Sequence, residues 1–117
     1  MRSASGKSLK IRVRAARRAD LHALVELERR VFATDRLSRP ALRRLLASKS
    51  ARVTVAEVGS RLVGAAVVLF RVHTTVARLY SIAVAPPMNG KGVAVVLLAV
   101  AERGRGPQVP LHASRSP

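Results

Sequence analysis

The sequence lacks cysteine and tryptophan altogether. The missing cysteine excludes a disulfide framework, a thiolate nucleophile and a thiolate metal site. The three histidines, His22, His73 and His112, lie far apart and form no ligand spacing. No apolar run approaches the roughly 20 residues that a membrane-spanning helix needs, and the first ten residues contain no apolar signal segment. The sequence therefore predicts a cytoplasmic protein with no membrane association.

Acidic residues are also scarce, and their scarcity leaves a formal net charge of +16. The excess is spread along the chain and is not confined to one tail. Charge of this size favours polyanions, including nucleic acid and phosphorylated cofactors. Aromatic residues make up only 3% of the chain, which argues against a stacking platform for single strands. A basic module with weak, non-specific affinity for nucleic acid is the alternative reading.

The length of 117 residues and the 49% hydrophobic content indicate one globular domain. Residues 1–8 are polar and predict a flexible tail. Residues 104–117 contain three prolines and no periodicity, so they predict a disordered tail. The domain itself is expected to span residues 9–103.

Hydrophobic periodicity predicts the order β-α-α-β-β-β-α. Asp20 and Ser38 are the expected N-caps of the two consecutive helices, with Pro40 in the first turn of the second. Gly59-Ser60 and His73-Thr74 predict short turns, which make three consecutive strands antiparallel. The expected elements are strands at 9–14, 52–58, 61–72 and 75–85, and helices at 21–32, from Ser38 to about 48, and at about 92–103.

The most informative stretch runs from the last strand into the last helix. The helix opens on Asn89-Gly90-Lys91-Gly92-Val93-Ala94. Amide groups in the first turn of a helix lack internal partners and favour anions, and glycine lets the backbone approach an anion closely. Lys91 adds a mobile cation. This pattern predicts a phosphate site, although Gly90 and Gly92 also suit an ordinary turn and Asn89 also suits a helix cap.

This stretch, in this order of elements, resembles the GNAT N-acetyltransferase superfamily. The likeness is to its branch around the ribosomal-protein-alanine acetyltransferases, and it covers roughly residues 9–103. The superfamily signature Gln/Arg-x-x-Gly-x-Gly/Ala aligns with Asn89–Ala94, where Gly92 and Ala94 match and Asn89 does not. The segments 79–84 and 35–38 also resemble that branch.

The resemblance implies an α/β fold with a mixed, mostly antiparallel sheet flanked by helices. It implies that acetyl-coenzyme A lies where the fourth strand splays from the fifth. It also implies direct attack on the thioester by a substrate amine, on a small molecule or a protein N-terminus. The implied cofactor-binding residues are Ile82, Ala83 and Val84 for the pantetheine arm, and Asn89, Gly90, Lys91, Gly92, Val93 and Ala94 for the pyrophosphate.

The chain departs from the family after the last helix. The family continues with a fifth strand, a further helix and a closing hairpin, where a Glu and a Tyr serve as base and acid. Residues 104–117 are expected to supply none of these, and Tyr80, the only tyrosine, lies outside that motif. The sequence thus predicts a C-terminally truncated domain with impaired catalysis and no assignable catalytic residue. It also predicts self-association through an open strand edge.

One carboxylate remains as a candidate base. Glu57 lies near the end of the second predicted strand, where it could act on an amine through water. The alternative is a solvated strand-end carboxylate with no role in chemistry.

Overall fold

The described parts of the computed structural model are residues 10–70, 77–105 and 111–113. They confirm the predicted order of elements and add one strand at its end. Single turns of 3-10 helix occur at Arg18–Asp20 and Pro86–Met88. The strands are β1 (Ile11–Ala15), β2 (Ala51–Val58), β3 (Arg61–Phe70), β4 (Ala77–Val84) and β5 (Leu111–Ala113), and the helices are α1 (Leu21–Val31), α2 (Arg39–Ala47) and α3 (Val93–Arg105).

The five strands form one sheet in the order β1-β2-β3-β4-β5. The first four are antiparallel to their neighbours, and β5 runs parallel to β4. The hairpin between β2 and β3 turns at Gly59-Ser60 as predicted, and Gly59 has a φ of 63° that favours glycine. The predicted turn at His73-Thr74 lies outside the described residues.

Strand β3 is the centre of the core. Its residues 63–68 are all buried, so both of its faces are covered. Helix α3 contacts β1 to β4, whereas α1 lies against β3 and β4 and packs on α2. We infer that α3 covers one face of the sheet and the α1–α2 pair the other.

The two predicted helix caps differ in outcome. Ser38 caps α2, because its hydroxyl accepts a hydrogen bond from the amide of Ala41 at 3.1 Å. Asp20 occupies the N-cap position of α1, but its carboxylate makes no capping bond there. It accepts instead from the amide of Arg17 at 2.6 Å and from the guanidinium of Arg14 at 2.8 and 2.9 Å. The prediction that Asp20 caps α1 is wrong because a charged donor on the neighbouring strand binds the carboxylate more strongly than helix amides do.

The link between α1 and α2 is held by side chains. Glu28, which is buried, accepts a hydrogen bond from the amide of Leu37 at 2.7 Å. Arg36 donates from Nε to the carbonyl of Phe32 at 2.8 Å and so binds an end carbonyl of α1. Asp35, in the same link, has a φ of 62°.

Strand β5 corrects the expectation that residues 104–117 contain no strand. Helix α3 continues to Arg105, and Leu111–Ala113 pair with Ala77–Leu79 of β4. Three residues are too few to show the alternation of a strand, and the nearby Pro107 and Pro110 indicate a loop instead. A parallel partner is reached only through the helical crossover that α3 provides. The predicted fold class stands, but it gains this short strand.

The described ranges contain neither a membrane-spanning helix nor a metal-binding cluster. None of the helices there is both long and apolar enough to cross a membrane. Their His, Asp and Glu side chains also form no group of three or more that could hold a metal ion.

Candidate functional site

The pairing of β4 with both of its neighbouring strands changes at Tyr80. Residues Ala77–Leu79 pair with β5, and Leu79 is the last β4 residue that pairs with the described residues of β5. On the other side, Val68 pairs with Leu79 and Val67 with Ser81, so Tyr80 is the extra residue of a β-bulge. A bulge bends the strand that carries it and increases its local twist. The bulge therefore lies next to the last described pair of β4 and β5.

Beyond the bulge, alternate residues of β4 point their backbone groups away from β3. The amide of Ala85 donates to the carbonyl of Val63 at 2.8 Å, which marks a hydrogen-bonded pair with β3. Such pairs alternate along an antiparallel ladder, so Ala83 also bonds to β3. The backbone groups of Ile82 and Val84 then point the opposite way, towards an edge where none of the described residues pairs with them.

The family resemblance implies that Ile82, Ala83 and Val84 bind the cofactor, and the structure gives these three residues different surroundings. Ile82 and Ala83 have buried side chains, so only backbone groups of these two residues are available to a ligand. Because Ala83 uses its backbone for β3, the edge offers the amides and carbonyls of Ile82 and Val84.

The loop after β4 turns twice before α3 begins. Pro86–Met88 form a 3-10 turn, and the amide of Lys91 donates to the carbonyl of Met88 at 3.2 Å. Gly90 and Gly92 have φ values of 80° and 84°. A Cβ at either glycine would meet nothing within 4 Å, so the backbone conformation alone requires glycine there.

The start of α3 presents its amides beside these exposed glycines. The first bond of the helix runs from the amide of Val96 to the carbonyl of Gly92 at 3.1 Å. The amides of Val93, Ala94 and Val95 therefore precede the helical ladder and have no partner within it. Gly92 is the N-cap, so the alternative in which Asn89 caps α3 is wrong. Asn89 ends the preceding 3-10 turn, three positions earlier.

The position of α3 on the sheet depends on Gly64. A Cβ at Gly64 would lie 2.8 Å from Cγ1 of Val93 and 3.1 Å from Cδ1 of Leu97. Val93 and Leu97 are themselves fully buried. The missing side chain lets the first turn of α3 lie directly on β3, next to the end of β4.

Glu57 belongs to an ion cluster near the opposite edge of the sheet, where β2 pairs with β1. Arg14 on β1 lies between two carboxylates, with its guanidinium 2.8 Å from Asp20 and 3.1 Å from Glu57. Arg12 adds a longer pair of 3.9 Å to Glu57. The hydrogen bond from Arg14 is the main cause that lowers the pKa of Glu57, and it does the same for Asp20. A lowered pKa weakens a general base, and the reading of Glu57 as a freely solvated carboxylate is also wrong.

The structure thus places the predicted strand end and the glycine loop next to each other. Two further features of the site were not predicted from the sequence. Gly64 allows α3 to pack closely on β3, and the bulge at Tyr80 changes the register of β4. Gly64 lies within the apolar run of β3, and no local pattern indicates the bulge. Both depend on strand register, which a single sequence does not display.

Comparison with known proteins agrees with this geometry. Residues 19–107 match the model of the acetyltransferase (GNAT) family. No curated protein matches the sequence. Among solved structures, the chain is similar to the ribosomal-protein-S18-alanine N-acetyltransferase of Escherichia coli, with a TM-score of 0.74 and 18% identity over 82% of this chain and 59% of that one.

This chain covers a larger share of two further structures. The PaiA N-acetyltransferase of Thermoplasma acidophilum, in complex with coenzyme A, has a TM-score of 0.71 and 20% identity over 83% of this chain and 72% of that one. The ribosomal-protein-alanine N-acetyltransferase of Brucella melitensis biovar Abortus 2308 has a TM-score of 0.74 and 19% identity over 92% and 81%. The chain spans about three fifths of the Escherichia coli protein, and the shared fold is what these similarities establish.

Proposed function

The chain belongs to the acetyltransferase (GNAT) family, and we propose that it binds acetyl-coenzyme A along the free edge of β4 and at the start of α3. The pyrophosphate takes the loop and first helical turn, Asn89–Ala94. The pantetheine arm carries amides, and these bond to the backbone of Ile82 and Val84 as an added strand would.

One observation supports this proposal above the others. The described β4–β5 pairing ends beside the bulge at Tyr80, just before Ile82 and Val84. The same strand leads into a loop with two glycines of positive φ and into helix amides that precede the helical ladder. An extended, amide-bearing arm that ends in a diphosphate matches both parts in order. A turn that served only to reverse the chain would not require a stretch of β4 beside it that pairs with none of the described residues on that edge.

We propose that the chemistry is acetyl transfer to an amine by direct attack on the thioester, and that it is slow. Among the described residues the one carboxylate considered as a base, Glu57, is paired with Arg14, and its pKa is lowered. An amine that must lose its proton to solvent reacts faster as its uncharged fraction grows. The rate should therefore rise with pH up to the pKa of the substrate amine, without a second, falling limb.

The acceptor is an amine on a small molecule or at a protein N-terminus. Similar structures include a protein-alanine acetyltransferase and an aminoglycoside acetyltransferase, so the fold accommodates both classes. With 22 Lys and Arg against six Asp and Glu, this chain repels polycations. We therefore favour a neutral or acidic acceptor, such as a protein N-terminus followed by acidic residues, over an aminoglycoside.

Calorimetric titration with acetyl-coenzyme A tests the proposal. The chain should bind it saturably, and Gly92→Ala should weaken binding at least tenfold, because Ala at a φ of 84° displaces the loop amides. Gly59→Ala is the matched control, since Gly59 also has a positive φ and open space but lies in the β2–β3 turn. No binding of acetyl-coenzyme A at millimolar concentration, or equal loss in both variants, would contradict the proposal.

A further inference from the structure

A cavity of about 160 Å³ lies beside the loop, on the β3 side of β4. The β2–β3 hairpin forms one wall of this cavity, and the loop after β4 forms another. Its surface is mainly apolar and includes Val58, Leu62, Val63 and Met88. At roughly 30 Å³ for each water molecule, the space holds about five waters or a short hydrocarbon chain.

Two arginines, Arg30 and Arg61, also line this cavity. Arg30 lies in the last turn of α1 and Arg61 is the first residue of β3, and both are exposed. No carboxylate lines the cavity, and the ion pairs recorded among the described side chains involve other arginines. Two guanidinium groups beside one small apolar space fit a carboxylate whose body is hydrocarbon.

We propose that this cavity binds a small organic monoanion, a carboxylate on an unbranched apolar chain of about five carbons. The carboxylate lies between Arg30 and Arg61, and the chain packs on Leu62 and Met88. Each buried methylene should strengthen binding by roughly fourfold, so hexanoate, with two more methylenes, should bind about sixteenfold more tightly than butanoate.

The occupant would touch the loop of the proposed coenzyme site. Pro87 and Met88 line the cavity, and the next residue is Asn89. Ala85, which also lines it, is tied to Val63 by a backbone hydrogen bond of 2.8 Å. A ligand in the cavity is therefore expected to perturb Asn89–Gly92 as well as its own walls. The binding measurement needs no acetyl-coenzyme A, so it stands or falls separately from the proposed function.

Amide chemical-shift titration of the full chain with sodium hexanoate tests the site. At about 0.15 M salt, general attraction to exposed cations is screened beyond about 8 Å. Saturable shifts should concentrate at Leu62, Val63 and Met88 and extend to Asn89. Hexanamide has nearly the same shape without the charge and should bind at least fivefold more weakly, while acetate should not saturate. Equal affinity for hexanoate and hexanamide, or shifts spread over the basic surface, would overturn the proposal.

A pair of double variants separates this site from overall charge. Arg30→Gln with Arg61→Gln should weaken hexanoate binding about tenfold, since each exposed guanidinium contributes only a few-fold. Arg18→Gln with Arg43→Gln is the matched control, because those arginines flank a separate cavity of about 300 Å³ between α2 and the 3-10 turn before α1. That control should leave the affinity unchanged. Equal weakening in both double variants, or shifts centred on the second cavity, would show that the assignment is wrong.

Discussion

Gly64 sets the distance between α3 and the sheet, and its substitution is the sharpest test at the residue scale. In Gly64→Ala the new Cβ would lie 2.8 Å from Cγ1 of Val93. Val93 is β-branched and fully buried in a helix, where one χ1 rotamer is strongly preferred, so turning its methyl group away is costly. We expect Gly64→Ala to lower the free energy of unfolding by about 1–2 kcal/mol, as overpacking does. Urea denaturation measures this.

A second substitution identifies the cause. Val93→Ala removes the methyl group that the new Cβ would meet. The double variant Gly64→Ala with Val93→Ala should be more stable than the sum of the two single losses predicts, because the residues are in contact. Additive losses would show that Gly64 is required for a reason other than close packing with α3.

Arg14 holds together three elements, and its effect on stability depends on pH. Its guanidinium lowers the pKa of both Asp20 and Glu57 in the folded protein. Groups with lowered pKa stabilise the fold above their unfolded pKa, about 4, and this contribution is lost as the pH falls through the lower folded value. Arg14→Gln should therefore unfold at a lower urea concentration at pH 7, and the gap from the parent should close as the pH falls below about 4.

The exposed pair Glu26–Arg29 provides the control for that prediction. These side chains are 3.4 Å apart on the surface of α1. Arg29→Gln removes the same charge and should change the urea midpoint little at any pH. A gap between Arg14→Gln and the parent that stays constant from pH 7 to pH 2 would contradict the role assigned to the cluster.

Residues were predictable from the sequence where the reason for them is local. Gly90 and Gly92 mark a loop before a helix, and Ser38 marks a cap, because each requirement involves neighbouring residues only. Gly64 faces a helix that begins about 30 residues later. Asp20 binds Arg14, which is only six residues away but lies on a different element, β1. Neither contact follows from the periodicity of one helix or strand, because each joins two elements.

At the scale of elements, strong periodicity was enough for seven of the eight helices and strands in the described ranges. Amphipathic α1 and α2 and the apolar β3 bury enough surface for their patterns to be visible. The exception, β5, has three residues and a parallel partner on the far side of α3. Its formation depends on where α3 returns the chain, which is a property of the assembled sheet.

The β4–β5 pairing can be tested by removing β5. A chain that ends at Arg105 should lose protection against hydrogen exchange at those amides of Ala77–Leu79 that point towards β5. Amides of Ser81 and Ala83 bond to β3 and should keep their protection. Unchanged exchange throughout Ala77–Leu79 would contradict the pairing. Loss of protection across the whole of β4 would show instead that residues 106–117 stabilise the entire strand.

At the scale of the whole molecule, charge is the dominant property. Since the chain has six acidic residues, sixteen of its 22 Lys and Arg have no acid to pair with. This surplus attracts any polyanion, so affinity for RNA alone would not identify a nucleic-acid-binding function. The coenzyme is also anionic, and the same surplus assists its binding. Dependence on salt separates a general attraction from a shaped site.

We therefore expect RNA and acetyl-coenzyme A to respond differently to salt. A short single-stranded RNA that contacts several cations should lose about a thousandfold or more in affinity between 50 and 200 mM salt, because each neutralised phosphate contributes to the slope. Acetyl-coenzyme A carries only about four negative charges and also bonds to fixed amides, so its affinity should fall far less. Parallel titrations of both ligands at three salt concentrations measure the two slopes. RNA binding that persists at several hundred millimolar salt while acetyl-coenzyme A fails to bind would favour the basic-module reading instead, because phosphate contacts alone do not survive there.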